Sequence, residues 1–451
     1  MNKVHILNGL NKKYSITIGF FGLLILLLTS FQIFQPSPLL LLVALVCITV
    51  SVLIYSFQLY KSKAPGIKNN GNWLQSLTNR GIHAWILGVL LTGFYVILYW
   101  FPEYLGLHPK RNSGLIALFD PLSYMLKKQP ASQWFVYGVL YTMAIILFGI
   151  KFLLKYWHSP YQKIRTISVI FFQTAFAFLL PEFMLRLNMP FYDFKNMWPL
   201  NYYFFDAWHL ENLMKAGNIG WFMLFWGILM ILVISPILTY FYGKRWYCSW
   251  VCGCGGLSET AGDSFRHLSD KSIKAWKVER YLIHGGLVFS IIMTAGVVYS
   301  YITGQANIMG VSTAGLRSWY GFLIGAAFSG VIGVGFYPLM GSRVWCRFGC
   351  PMAAILGIQQ RWLSRFRITT NGGQCISCGN CSTYCEMGID VRSYAQKGQN
   401  IVRASCVGCG ICAAVCPRGV LKLENQSIDI FNRTKELKTI HITEDMVTII
   451  K

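Results

Sequence analysis

From residue 14 the chain alternates between long apolar stretches and short polar groups rich in lysine, arginine, asparagine and proline. Eight stretches reach the roughly 20 apolar residues that a helix needs to cross a hydrocarbon core. They run over 14–34, 38–60, 81–101, 134–155, 165–187, 219–242, 281–303 and 319–341. The first follows Lys12 and Lys13 as a signal peptide would. It lacks a small-residue cleavage site and a second stretch follows almost at once, so it reads as an uncleaved anchor. The pattern predicts a polytopic α-helical membrane protein of about eight transmembrane helices, and beyond 341 it gives way to a polar, cysteine-rich segment.

Composition agrees. Of 451 residues, 54% are hydrophobic and 13% charged, where a soluble protein carries about a quarter charged residues. Lys+Arg 40 against Asp+Glu 17 gives a net charge of +23. A nucleic-acid binder would gather those cations on one soluble module, whereas here they fall between apolar runs, as in loops on the negative side of a bilayer. With the N-terminus inside, the inner loops hold Lys61, Lys63, Lys68 and Arg80, then Lys155, Lys163 and Arg165. The next holds Lys244, Arg245, Arg266, Lys271, Lys274, Lys277 and Arg280. The outer loops hold Lys110, Arg111, Lys127 and Lys128, then Lys195 and Lys215, and finally Arg317. Eight spans return the C-terminus to the cytoplasm of a bacterial inner membrane. Thirteen of the 14 cysteines then lie on the inner side, with Cys47 inside the second span. A reducing compartment keeps thiols free, so clustered cysteines there point to metal ligands rather than disulfides.

The strongest pattern is "CISCGNCSTYC" from Cys375, repeated as "CVGCGICAAVC" from Cys406. In two-cluster ferredoxins the run C-x2-C-x2-C supplies three thiolates to one cubane, and the fourth cysteine of each run ligates the other. That rule assigns Cys375, Cys378, Cys381 and Cys416 to one 4Fe–4S cluster, and Cys406, Cys409, Cys412 and Cys385 to a second. Pro417 follows Cys416 as the motif prefers, while Glu386 follows Cys385 where proline is usual. Zinc, the alternative, usually takes paired C-x2-C units with a long spacer. Gly379, Gly408, Gly410, Ala413 and Ala414 leave backbone amides free to approach the sulfurs. The segment resembles the bacterial-type two-cluster ferredoxin domain over about 366–424, which makes 1–365 the transmembrane domain and 425–451 a tail. The expected fold is therefore a helical membrane domain carrying a small cytoplasmic α+β ferredoxin-like domain.

Two further motifs, "RWYCSWVCGCGG" and "RVWCRFGCPMAA", sit at the inner ends of the sixth and eighth spans. Each carries C-x3-C, Cys248 with Cys252 and Cys346 with Cys350. On a continuing helix, positions i and i+4 share a face, so each pair presents two thiols in one direction to an additional redox or metal site. Against this stands the ordinary role of cysteine as a small packing residue. Together with the ferredoxin motifs they resemble the membrane-bound polyferredoxin family, the NapH, NosR and CcoG/RdxA/FixG group, whose mark is C-x3-C-P at cytoplasmic helix ends. Cys346, Cys350 and Pro351 fit directly; Cys248 and Cys252 fit with Gly253 in place of proline and an added Cys254. The resemblance covers about 219–424. The first five spans, and the lack of the outer domains that some members carry, leave the pathway open.

Charged or polar groups inside a bilayer are candidates by default. Gln173, and Glu182 paired with Arg186 four residues on, lie on the fifth span beside Pro181. His83 and His284 are the candidates for haem b, although isolated interface histidines are commoner. The aromatic segment 188–212 reads as an aromatic belt or interfacial helix at the outer surface, and Gly321, Gly325, Gly330 and Gly333 suggest close helix packing. No nucleotide-binding glycine fingerprint, Walker motif, serine-type triad or zinc-hydrolase signature appears. The expected function is electron transfer between the quinone pool or a cytoplasmic donor and a respiratory reductase. That makes the chain a carrier or redox subunit rather than a stand-alone enzyme. The alternative is copper-centre assembly, since thiolates favour Cu(I).

Overall fold

The computed structural model describes residues 2–60, 75–308, 310–425, 439–443 and 446–450, so Lys61, Lys63, Lys68 and most of the tail lie outside it. Seven helices among the described residues are long and apolar enough to cross a membrane. They are Lys13–Ser30, Pro38–Tyr60, Ile82–Trp100, Gln133–Lys155, Pro160–Arg186, Asn218–Tyr242 and Ile273–Thr303, and they follow the first seven predicted spans. Large apolar side chains such as Phe20, Leu23, Leu90, Trp221 and Phe225 point outward. That surface would be costly in water and is at home in lipid. The chain is a multi-pass membrane protein.

Two of these spans pass through π-helical turns, Phe172–Leu179 ahead of Pro181 and Met230–Ile234 ahead of Pro236. Proline donates no N–H and its ring crowds the preceding turn, and a widened turn relieves both.

The eighth predicted span differs from expectation. It is a helix, Thr313–Tyr320, that becomes π-helical over Gly321–Ile332, then breaks before a last turn at Tyr337–Met340. Some of its glycines pack against the third span and others against Tyr202 of the 188–212 segment. A Cβ on Gly330 would meet the Tyr99 ring at 2.7 Å, and one on Gly325 the Tyr202 ring at 3.2 Å. The segment still leads back along the seventh span, with Thr313 bonded to Ser300 and the Gly349 carbonyl beside Gly286. The two ends of that return are about 21 Å apart along the helix axis. The second C-x3-C motif therefore reaches the same end of the bundle as the first.

The 188–212 segment is only partly a surface belt: Phe191 and Trp208 are exposed, while other side chains turn inward. Tyr192, Phe204 and Leu213 are buried against Met184, Met223 and Leu224. Trp198 donates to Thr294 at 2.8 Å, and Met197 joins the core that contains Cys248 and Cys346. Aromatic side chains with one polar handle pack well inside a bundle when that handle finds an acceptor.

The ferredoxin-like region is closed by antiparallel strands Arg367–Thr370 and Leu421–Glu424, in register from Arg367 opposite Glu424 to Thr370 opposite Leu421. Between them lie short helices Asn380–Thr383, Val391–Gln396 and Ile411–Ala414. Its core is continuous with that of the membrane domain: Trp246, Ile283 and Leu356 pack in one cluster with Ile368, Met387, Val407 and Val420.

Candidate metal centres

Two left-handed glycines build the ferredoxin-like sites. Gly379 (φ 79°) and Gly410 (φ 75°) each turn the chain into a short helix that carries the third cysteine of its run. That conformation is open to glycine at little cost. Cys375, Cys378, Cys381 and Cys416 come together around one small void, and Cys385, Cys406, Cys409 and Cys412 around another. Burial pushes the Cys381 and Cys385 thiols up to about 11 and Cys409 to about 12. A metal bound there displaces protons. The Ile389 amide donates to the Cys385 sulfur at 3.4 Å, a bond suited to charge held on that sulfur.

The two sites differ in enclosure. Cys378 of the first is exposed to solvent. The loop of the second is clamped by the membrane domain through successive carbonyls. Gln360 donates to Cys406 O at 2.7 Å and Ser249 to Val407 O at 2.8 Å. Tyr161 donates to Gly408 O at 2.7 Å and Gln162 to Cys409 O at 2.8 Å.

Neither C-x3-C motif lies on a continuing helix. Cys248 ends the turn Arg245–Cys248 and Cys252 is the extended N-cap of Gly253–Thr260. Cys346 lies in the π-turn Trp345–Gly349 and Cys350 is the extended N-cap of Pro351–Trp362. The expectation of two thiols on one helical face is thus replaced by a repeated turn, cap and helix. In the second copy Pro351 at the first helical position favours that break, while the first copy has Gly253 there. The two copies face each other: the Cys350 thiol feels the charges of Cys346, Cys248 and Cys252, and Cys254 those of Cys252, Cys346 and Cys350. Burial pushes Cys248 up to about 12. A hydrogen bond from Cys254 holds Cys252 below the usual thiol range.

Between this group and the second ferredoxin-like site lies a buried ion-pair network. Glu386 accepts from Arg266 at 2.6 Å and from Arg343 at 3.0 Å. Arg343 also donates to Glu259 at 2.5 Å, to the Cys248 carbonyl at 3.1 Å and to the Cys346 sulfur at 3.5 Å. Arg165 pairs with Glu259, and Asp263 pairs with Lys155 and Arg266. Oxygens of Glu259 and Glu386 and the Cys409 sulfur lie within 4.8 Å of one another. Three guanidiniums already neutralise those carboxylates, so they form an ion-pair cluster rather than a cation site. Here is the reason for the missing proline after Cys385. A carboxylate is needed at 386 to receive two arginines, and its backbone carbonyl also accepts from Ser269 at 2.8 Å. Several charges counted as loop cations, Arg165, Lys244, Arg245 and Arg266 among them, are buried in this region.

Lys244 tests whether anionic metal clusters fit. It is 0% exposed, and its Nζ has no hydrogen-bond partner among the described residues. Its charge acts on both Cys248 and Cys406. A buried unpaired ammonium is expensive, and thiolate-ligated iron–sulfur groups on either side would supply the missing negative charge.

Other candidates separate. Glu182 pairs with Lys127 at 3.2 Å, not with Arg186, which donates to the Met125 carbonyl instead. The short helix Asp120–Lys127 dips against the fifth span and brings that lysine. Gln173 donates to Thr142 at 3.2 Å, and its oxygen lies 2.7 Å from where a Cβ on Gly253 would sit. His83 contacts Ser76 and His284 the Arg280 carbonyl, each on or beside its own helix. The network itself was missed, although the sequence held a signal. In a chain with 17 acidic residues, Glu259 and Asp263 fall just after a C-x3-C-x-C run.

Comparison with known proteins concentrates on these two regions. Residues 374–421 match the family described as a 4Fe-4S dicluster domain. Residues 223–272 and 322–369 each match the family described as a 4Fe-4S binding domain, one copy per C-x3-C motif. The chain carries 4Fe–4S binding regions at both places. A relative in Escherichia coli (strain K12), YccM, bears a provisional electron-transport name and is 26% identical over 175 residues. That covers 37% of this chain and 48% of YccM, so the match spans about half of the relative. No solved structure matches.

Proposed function

We propose that the protein is a membrane-anchored iron–sulfur electron carrier. Cys375, Cys378, Cys381 and Cys416 hold one 4Fe–4S cluster, and Cys385, Cys406, Cys409 and Cys412 a second. Cys248, Cys252, Cys346 and Cys350 hold a further redox or metal centre, with Cys254 beside it. Bound clusters supply reversible one-electron chemistry. The observation that carries this assignment is the graded enclosure of the three cysteine groups. Cys378 opens the first to solvent, where a soluble partner can reach it. Tyr161, Gln162, Ser249 and Gln360 close the second against the membrane domain. Arg343 then touches Glu386 on one side and Cys346 on the other, fixing the distance between the second and third groups and placing a cation beside both. Electrons pass along this order between a cytoplasmic donor or the quinone pool and a respiratory reductase.

The cysteine-bearing end faces the cytoplasm of a bacterial inner membrane in this proposal. Arg80, Lys163, Lys271, Lys274, Lys277 and Arg280 lie at that end, in keeping with the positive-inside rule. Kinship with membrane-bound polyferredoxins is the corresponding family proposal. A second reading, copper delivery or reduction for a respiratory enzyme, draws on the hydrogen-bonded pair Cys252 and Cys254, a soft and partly ionised ligand set.

Anaerobic purification in detergent, with iron, copper, zinc and haem analysis and EPR of the reduced protein, tests both. About eight irons from the ferredoxin-like region are expected, and about four more if the membrane-edge group also holds a cubane. Intact protein with four irons or fewer, or loaded with zinc, would sink the assignment. Copper removed by Cys346→Ser with the ferredoxin signals unchanged would favour the second reading.

A further inference from the structure

We propose that a groove at the membrane surface beside the second ferredoxin-like site binds the phosphate headgroup of an anionic phospholipid. The first turns of the seventh span, the helix Pro351–Trp362 and residues 402–405 enclose a cavity of about 490 Å³. Arg280, Arg361 and Arg403 line it. Arg280 and Arg403 both rest on the Trp276 ring, 5.3 and 4.9 Å from its centroid, and Arg361 rests on Trp362 at 5.4 Å. Two guanidiniums on one indole repel each other, and ring contact leaves their N–H donors free to take an acceptor from a ligand. Among the described residues no carboxylate pairs with any of the three. Glu279, which also lines the cavity, is taken by Arg347 at 2.8 Å. The site has the charge and the donors for a phosphate, and guanidiniums match phosphate oxygens well.

The rest of the wall chooses the source of that phosphate. Ile283, Ala353, Ala354 and Ile358 form an apolar side. Trp362 (74% exposed), Leu363 (62%) and Tyr281 (81%) continue it onto the outer surface. A free anion would use the arginines and leave this apolar side wet. A lipid uses both, with its headgroup on the cations and an acyl chain along the apolar wall. Basic pockets at the cytoplasmic ends of helices are suited to that arrangement. Ala404 and Ser405 line the same cavity just before Cys406, so a bound lipid would also brace the loop entering the second run.

The test uses the full-length protein in detergent, stripped of lipid and titrated with phosphatidylglycerol, phosphatidylcholine or inorganic phosphate. Binding is read by native mass spectrometry and by the thermal midpoint. Three cations at a lipid surface predict a preference for phosphatidylglycerol of about tenfold or more. The triple variant R280Q/R361Q/R403Q, with iron content as in wild type, should lose it. Should that variant fail to load iron, R361Q alone should weaken phosphatidylglycerol several-fold. Equal binding of the two lipids, equal protection by inorganic phosphate, or an iron-loaded variant that keeps the preference would each overturn the proposal.

Discussion

The two ferredoxin-like runs share one spacing and have opposite surroundings. In the first, Cys378 meets solvent and Ser377 bonds to Gln396 within the same small region. In the second, Cys406 and Cys412 are buried, and four carbonyls in a row are taken by side chains of the membrane domain. A repeated motif thus sets what each site can ligate, while the neighbours decide what it can exchange electrons with. One site faces outward and the other faces the membrane-edge cysteines, which gives the pair a direction that its pseudo-symmetry conceals.

The largest effect should come from removing a ligand on either side of that asymmetry. Cys378→Ser and Cys412→Ser should each cost about four irons. Only the second should also expose 403–412 to protease, because only that loop combines a proposed cluster with the clamp. Equal protease patterns in the two variants would erase the distinction. Soluble oxidants should bleach the EPR signal of the first site before that of the second in wild-type protein.

Next in size is Glu386. Burial alone would raise its carboxyl, but Arg266 and Arg343 outweigh that and hold it below the usual carboxylate range. Glu386→Gln leaves both guanidiniums buried without their counter-charge, and breaking a buried pair from one side costs about 3–5 kcal/mol. The loss should appear as a lowered thermal midpoint and as release of the second run from the membrane domain. A variant as stable as wild type would show that the network does not hold the domains together.

Much of this was legible beforehand. Hydropathy predicted eight spans, and seven are helices long and apolar enough to cross a membrane, because lipid-facing residues must be apolar along their whole length. Loop spacing grouped the ferredoxin-run cysteines as the structure does, because three of each set come from one short run. The eighth span was harder to read: glycines that receive Tyr202 from the 188–212 segment look, in one dimension, like the one that receives Tyr95 and Tyr99 from the third span. Glu182 was matched to the nearer arginine, since Lys127 arrives from a different helix. The meeting of the two C-x3-C copies and the charges around Arg343 depend on contacts between residues 43, 84 and 95 positions apart, and no local period encodes them.

A smaller effect separates the network from the clusters by pH. Burial would raise the Asp263 carboxyl, yet Lys155 and Arg266 outweigh it and hold it at about 2, below the ordinary 3.8. A depressed carboxylate adds stability above its unfolded pKa and loses it as pH falls through the folded value. Its contribution, about 2 kcal/mol, should therefore be constant above pH 4 and vanish between about pH 4 and 2. The gap in thermal midpoint between wild type and Asp263→Asn, followed down that range in iron-free protein, should narrow accordingly. A gap that does not change with pH would mean the aspartate is not held ionised by its partners.

The smallest change probes the clamp itself. Tyr161→Phe deletes one hydroxyl that donates to the Gly408 carbonyl at 2.7 Å and accepts from the Trp250 indole at 3.2 Å. The ring stays, with the Arg245 guanidinium 5.7 Å from its centroid, so packing is preserved. A net cost of about 1 kcal/mol is expected for the lost bond. Because Gly408 precedes Cys409, the variant should loosen the second site and leave the first alone. Hydrogen exchange should quicken at 406–412 while 375–381 is unchanged, and iron content should stay full. Faster exchange in both runs would mean that they respond as one body, and the outward and membrane-facing roles assigned to them could not then be separated by the clamp.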